Sequence, residues 1–173
     1  METVTIGLAI PVPEPLGAQV RQVRAEVGDQ AAATVPTHVT LVPPTQVLAS
    51  DLNAILEHAR GIAAKVAAFD LLLCGTGSFA PTTDVAYVCV TQGAQECTRL
   101  QEQLRQEPLV RELDYPYHPH VTLAQNVGEQ ACQRARQLIG EVHAQLRIAS
   151  FTLYVQRLGQ AWAPLETFSL GGL

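Results

Sequence analysis

The sequence of 173 residues predicts an α+β fold of two pseudo-symmetric β-α-β-α-β lobes, with mostly antiparallel sheets facing a central cleft and helices on the outside. Three observations predict it. Strand-like and helix-like hydrophobic periods alternate along the chain. Their order repeats at an offset of 82 residues, and the tetrapeptide His-Val-Thr-Leu occurs once in each copy, at His38–Leu41 and at His120–Leu123.

In the first copy, Thr3 to Ile10 places Val4, Ile6, Leu8 and Ile10 at every second position, the pattern of a strand with one buried face. After the turn-forming Pro11–Pro15 run, Leu16, Val20, Val23 and Val27 recur at helical spacing up to Gly28. Thr37 to Val42 reads as a short strand closed by Pro43-Pro44. Ser50 or Asp51 can cap a second helix with the stripe Leu52, Ile55, Leu56, Ile62 and Val66, and Phe69 to Cys74 returns to strand. Gly75-Thr-Gly77 reads as a bulge or turn rather than a phosphate loop, since no helix follows at the required spacing.

The second copy runs in the same order. It has a strand from Val85 to Thr91, a helix from about Ala94 to Gln106, a strand from His120 to Ala124 and a helix from about Glu129 to Val142. A strand from Leu146 to Gln156 follows, and a last strand, Glu166 to Leu170, closes the chain. At the 82-residue offset His38 falls on His120, Thr40 on Thr122, Phe69 on Phe151, Leu71 on Leu153 and Gly77 on Gly159. A tetrapeptide repeated alone carries little weight; a collinear repeat of strands, helices and tetrad is far harder to produce by chance. The chain is expected to form a single bilobal domain over 1–173, with one lobe at about 1–78 and the other at about 79–173. A pseudo-two-fold axis would set the two tetrads opposite each other.

Composition narrows the function classes. A hydrophobic content of 47% suits a chain that buries its own core, and no apolar run reaches a membrane-span length. The N-terminal Met-Glu-Thr-Val-Thr lacks the marks of a secretory signal, so a soluble, cytoplasmic monomer is expected. The net charge is −5 and the single lysine is Lys65, which argues against a duplex-DNA binder needing a broad cationic surface. A nucleotide or RNA end gripped locally is the more natural partner. Cys74, Cys89, Cys97 and Cys132 lie in apolar segments without a Cys-x-x-Cys pair and read as buried, reduced thiols.

Side chains at i and i+2 of a strand share a face. Val39, Leu41, Val121 and Leu123 can then anchor their strands in the core while His38, Thr40, His120 and Thr122 are displayed toward the cleft. Two imidazoles and two hydroxyls converging on one cleft suit in-line displacement at phosphorus. One histidine takes a proton from the attacking oxygen, the other gives one to the leaving oxygen, and the hydroxyls donate to non-bridging oxygens. No metal and no other cofactor is called for. His118 and His120 could chelate an ion, but no third ligand stands at useful spacing.

Strand alternation turns Tyr87, Tyr154 and Gln156 to the cleft, as stacking or hydrogen-bonding candidates for substrate, with Phe79, Tyr115 and Tyr117 in neighbouring loops. Arg157 is the first choice for a cationic phosphate contact and Arg111 the second; Arg21 and Arg24 are expected to face water.

The paired His-x-Thr-x motifs in a duplicated fold resemble the two-histidine (2H) phosphoesterase superfamily, in particular its 2′-5′ RNA ligase-like and RNA 2′,3′-cyclic phosphodiesterase branch. Gly77-Ser-Phe79, Pro119 and the Trp162 to Leu170 segment look like that family's corresponding stretches. The resemblance implies metal-free opening of 2′,3′-cyclic phosphates, or related 2′-5′ chemistry. His38 and His120 would be acid and base, and Thr40 and Thr122 phosphate-binding hydroxyls. Members of the branch often carry Arg where this chain has Gln125, which keeps a hydrogen-bonding amide but loses a charge-assisted contact. The alternative is a catalytically weak nucleotide or RNA-end binding module of the same fold.

Overall fold

The computed structural model describes residues 1–172 as one eight-stranded antiparallel sheet with four α-helices. In chain order the elements are β1 (Thr3–Pro11), α1 (Leu16–Glu26), β2 (His38–Leu48), α2 (Leu52–Ala63), β3 (Phe69–Ser78), β4 (Val85–Gln92), α3 (Ala94–Leu104), β5 (His120–Gln125), α4 (Glu129–Ile139), β6 (His143–Ile148), β7 (Ser150–Gln156) and β8 (Ala163–Ser169). A 3-10 turn at Gln30–Ala33, which the hydrophobic pattern does not mark, is capped by Asp29, whose side chain accepts the Ala31 N–H. The α+β class and the antiparallel pairing agree with the sequence expectation.

In the strand order β6-β3-β4-β5-β2-β1-β7-β8, the six inner strands mirror one another under the 82-residue repeat. The midline falls between β5 and β2, the two tetrad strands; at the 82-residue offset β4 corresponds to β1 and β3 to β7, while β6 and β8 match only in position, as the two edge strands. The sequence boundary near residue 78 therefore differs from the boundary in space. β3 and its counterpart β7 each pair with the first strand of the other copy: β3 with β4, and β7 with β1. The helices cross as well, α1 packing on β5 and α4, and α3 on β2 and α2. This exchange welds the two copies into one core.

Two strands depart from the sequence reading. β2 does not stop at Pro43-Pro44 but continues to Leu48. Its pairing with β1 jumps from Val42↔Leu8 to Thr45↔Ile6, so a bulge absorbs the prolines. Their missing N–H groups cost nothing on the other side, because β2 meets β5 at Val39↔Val121 and is an edge beyond that point. The expected strand Leu146–Gln156 is two strands, β6 pairing with β3 and β7 with β1 at the other half of the sheet. Ile148 and Phe151 are both buried although they stand three positions apart, an odd spacing, so alternation must break between them, and it does at Ala149. Gly75, at φ 74°, sits in the expected bulge, where Leu73↔Val90 gives way to Thr76↔Val88.

The core lies between the sheet and the helices. Leu8, Val39, Leu41, Val88, Val121, Leu123 and Leu153 are fully buried there, joined by Val20 of α1, Ile55 of α2, Leu100 of α3 and Ala135 of α4. Each buried Val or Leu contributes about 1.5–3 kcal/mol of hydrophobic stabilisation, and their alternation fixes which residues of β2 and β5 face the open side. Cys97 and Cys132 are buried, Cys74 and Cys89 are half-buried, and all four are free thiols.

Candidate active site

β2 and β5 meet at the Val39↔Val121 pair, the central residue pair of the two tetrads. With both valines buried beneath the sheet, His38, Thr40, His120 and Thr122 rise from its open face. Antiparallel register then sets His38 across from Thr122 and Thr40 across from His120. All four line a single cleft of about 730 Å³, a size suited to a small organic ligand.

Each imidazole is fixed in the same way. Nδ1 of His38 lies 2.6 Å from the carbonyl of Pro36, and Nδ1 of His120 lies 2.6 Å from the carbonyl of His118. A carbonyl only accepts, so Nδ1 carries the proton and donates it in both residues, which leaves Nε2 as the group free to exchange protons. The Thr40 hydroxyl lies 3.1 Å from Nε2 of His38. Burial drives both imidazoles toward the neutral form. For His38 the Pro36 hydrogen bond opposes this drive and the Arg24 charge assists it. For His120 the His118 carbonyl opposes it, while the charges that His118 and His38 would carry assist it.

The surroundings of the two histidines differ. His120 stands in an aromatic group: Phe79 meets it edge-on at 5.0 Å between centroids, and Tyr87 at 5.5 Å. His118 packs against the same two rings. Among the described residues no such group surrounds His38, which lies instead within the field of Arg24.

Of the residues singled out in the sequence, Phe79, Tyr117, Gln125 and Tyr154 line the cleft, as do Arg111 and Tyr115. Tyr117 does more than wall it: its hydroxyl donates to the Thr40 carbonyl at 2.8 Å, tying the loop before β5 to β2, and burial pushes its pKa up. Arg111 is turned toward its own loop, donating to the Glu112 carbonyl and standing 3.8 Å from the Asp114 carboxylate.

Three expectations are corrected. Tyr87 is on the open face of β4 but does not line the cleft, because Phe79 covers it at a 4.3 Å centroid separation and its ring occupies the space that a Cβ on Gly77 would need. Arg157 lies exposed in the turn after β7 and stays outside the cleft, and Gln156 instead donates to the Gln160 carbonyl. Arg24 does not face water. It is 3% exposed and lines the cleft, because the crossing of α1 onto β5 turns part of the helix's polar side inward.

Arg24 and Trp162 are the residues the sequence reading did not place at the site. Arg24 Nε donates to Asp29 Oδ2 at 2.8 Å; Asp29 also accepts the Gln125 N–H at 3.2 Å and the Ala31 N–H at 3.0 Å. Trp162, whose backbone N–H donates to the Thr34 carbonyl, forms the wall next to Gly7 and Tyr154. A lone tryptophan at the end of a repeat was the available signal; nothing local marked Arg24. Among the described residues no three His, Cys, Asp or Glu side chains gather as a metal-binding group, and no helix is long and apolar enough to cross a membrane.

The fold has solved counterparts. E. coli LigT complexed with 3′-AMP superposes with a TM-score of 0.72 at 21% identity, covering 98% of this chain and 99% of LigT. A protein of Thermus thermophilus gives 0.69 at 24% identity, covering 97% and 98%. In sequence, a candidate phosphoesterase of Bacillus cytotoxicus is 34% identical over 145 residues, which is 83% of this chain and 84% of that protein. A Bacillus cereus relative of the same description is 32% identical over the same shares. The family model for the 2′-5′ RNA ligase superfamily matches residues 12–160. With paired His-x-Thr-x tetrads at the centre of the sheet and a match over most of its length, this chain belongs to the 2′-5′ RNA ligase superfamily of two-histidine phosphoesterases.

Proposed function

We propose that the protein is a metal-independent phosphodiesterase that opens 2′,3′-cyclic phosphates, or related cyclic and 2′-5′ phosphodiesters, on nucleotides or RNA ends. The observation that carries this reading is the pair of histidines whose Nδ1 atoms are both engaged by backbone carbonyls, so that both Nε2 atoms serve one cleft. One neutral imidazole accepts the proton of the attacking water. The other, protonated, delivers a proton to the departing ribose oxygen as the bond to phosphorus breaks. Thr40 and Thr122 donate to the non-bridging oxygens, where charge builds up.

Burial favours neutral imidazoles at rest, so the acid is the one that acquires its proton when an anionic substrate enters. Aromatic walls at Phe79, Tyr117, Tyr154 and Trp162 provide surfaces for a base or ribose. That the E. coli LigT structures are complexes with 3′-AMP, ATP and NADP+ supports a nucleotide as the ligand.

The test is a panel of 2′,3′-cyclic, 3′,5′-cyclic and 2′-5′-linked substrates in EDTA, with the His38→Ala/His120→Ala double variant as control. Turnover of the 2′,3′-cyclic members that is lost in the variant is expected. Nucleotide binding with no turnover of any substrate would make the protein a binding module instead.

A further inference from the structure

Arg24 carries an unmet demand. Its Nη2 is the one buried side-chain nitrogen or oxygen among the described residues that has no hydrogen-bond partner. A guanidinium N–H removed from water and left unpaired is costly to keep, and such a group calls for a physical explanation, which a ligand in the adjoining cleft supplies. The rest of the side chain is held firmly. Nε is bound to Asp29 Oδ2, and Asp29 is itself fixed by the N–H groups of Ala31 and Gln125, so one carboxylate joins α1, the 3-10 turn and the end of β5. The residue lines the cleft with His38, Thr40 and Gln125, and its charge is felt at His38.

The other cations are less suited. Arg111 is engaged with its own loop and Arg157 lies outside the cleft. Position 106, which corresponds to Arg24 under the 82-residue repeat, is an exposed glutamine. Among the described residues, the cleft thus has a buried, positioned guanidinium on one side only.

We propose that Arg24 is the anion-binding cation of the cleft, with its free Nη2 donating to a phosphate oxygen seated beside His38. Asp29 is then a positioning residue that holds the fork from behind, leaving the outer edge of the guanidinium to the ligand. The inference rests on the reading of the cleft as a phosphate site, but not on turnover.

The experiment is titration of the full chain with inorganic phosphate, followed by ¹⁵N NMR of the arginine side chains and by calorimetry, on wild type, Arg24→Gln and Arg24→Lys. The Arg24 resonances of the wild type are expected to shift saturably with phosphate. Phosphate Kd should rise at least about tenfold in Arg24→Gln and less in Arg24→Lys, which keeps the charge without the fork. Adenosine should bind all three alike, whereas adenosine 2′-monophosphate should follow phosphate. Where turnover is measurable, KM and phosphate inhibition should weaken together, which a purely structural role would not produce. Unmoved Arg24 resonances at saturating phosphate would overturn the proposal even if Arg24→Gln fails to fold. A folded Arg24→Gln with phosphate Kd within about twofold of wild type would do so too. Phosphate binding through Arg24 without opening of any cyclic substrate would leave this inference standing and remove the proposed activity.

Discussion

The two tetrads are the same four residues on equivalent strands, yet they stand in different surroundings. What they share is made by the backbone: a buried Val and Leu beneath, and a carbonyl two residues upstream that holds Nδ1 at 2.6 Å. What differs is made by side chains from elsewhere. His38 has the Thr40 hydroxyl on Nε2 and the charge of Arg24 nearby, whereas His120 is packed by Phe79, Tyr87 and His118. Duplication thus accounts for the tautomer and direction of both imidazoles, while the environment that sets how readily each takes a proton has diverged. Among the described residues, the half carrying the aromatic group has no buried cation at the cleft, and the half with the cation has no ring packed on its histidine.

The comparison breaks most sharply if one tetrad is dispensable. His38→Ala and His120→Ala are each expected to lower kcat on a 2′,3′-cyclic nucleotide by about 10²–10⁴-fold, measured in EDTA. A near-normal rate in either variant would mean that the second imidazole takes no part in the proton transfers.

Next in size is the shared support. Leu41→Ala and Leu123→Ala remove fully buried side chains at equivalent positions and should each cost about 2–5 kcal/mol of stability in urea unfolding. Similar losses would show that both halves unfold as one unit through the exchanged strands. A large loss at one site with little at the other would show that the halves are unequal in packing as well as in chemistry.

A smaller effect is expected from Tyr117→Phe, which deletes the hydrogen bond to the Thr40 carbonyl, a link from one half's loop to the other half's tetrad. The stability loss should be about 0.5–1.5 kcal/mol, with KM raised more than kcat is lowered, since the loop forms a cleft wall.

The last expectation concerns pH. Both histidines have folded pKa values below the ordinary value of about 6.5, so the unfolded chain binds more protons in the window below that value. Their contribution to stability is therefore fully present above about pH 6.5 and is lost as pH falls from there through the folded pKa values. His38→Asn and His120→Asn should each remove part of that decline in thermal melts. A decline unchanged in both variants would place its origin in other groups.

Much of the site was legible because it rests on short-range rules. Period-2 alternation put Val39, Leu41, Val121 and Leu123 inside and the histidines and threonines on the open face, and the repeat put both tetrads at one centre. Tyr87 shows where the rule stops: alternation gave its face correctly, but Phe79, arriving from the loop after β3, covers it. The break in the expected Leu146–Gln156 strand was also present in the sequence, in the odd spacing of Ile148 and Phe151.

By itself the sequence determined the α+β class, the duplication and the chemistry-bearing tetrads, because alternation, helical spacing and repeat offset are local properties of the chain. Only the tertiary structure decided which halves those elements join. The exchange of β3 and β7, and the crossing of α1 and α3, depend on sheet pairings between residues far apart in sequence. Arg24 is the plainest consequence. On an isolated amphipathic helix it belongs to the wet side, but α1 packs against the other copy's tetrad strand, and that contact turns a surface arginine into a buried cation at the cleft.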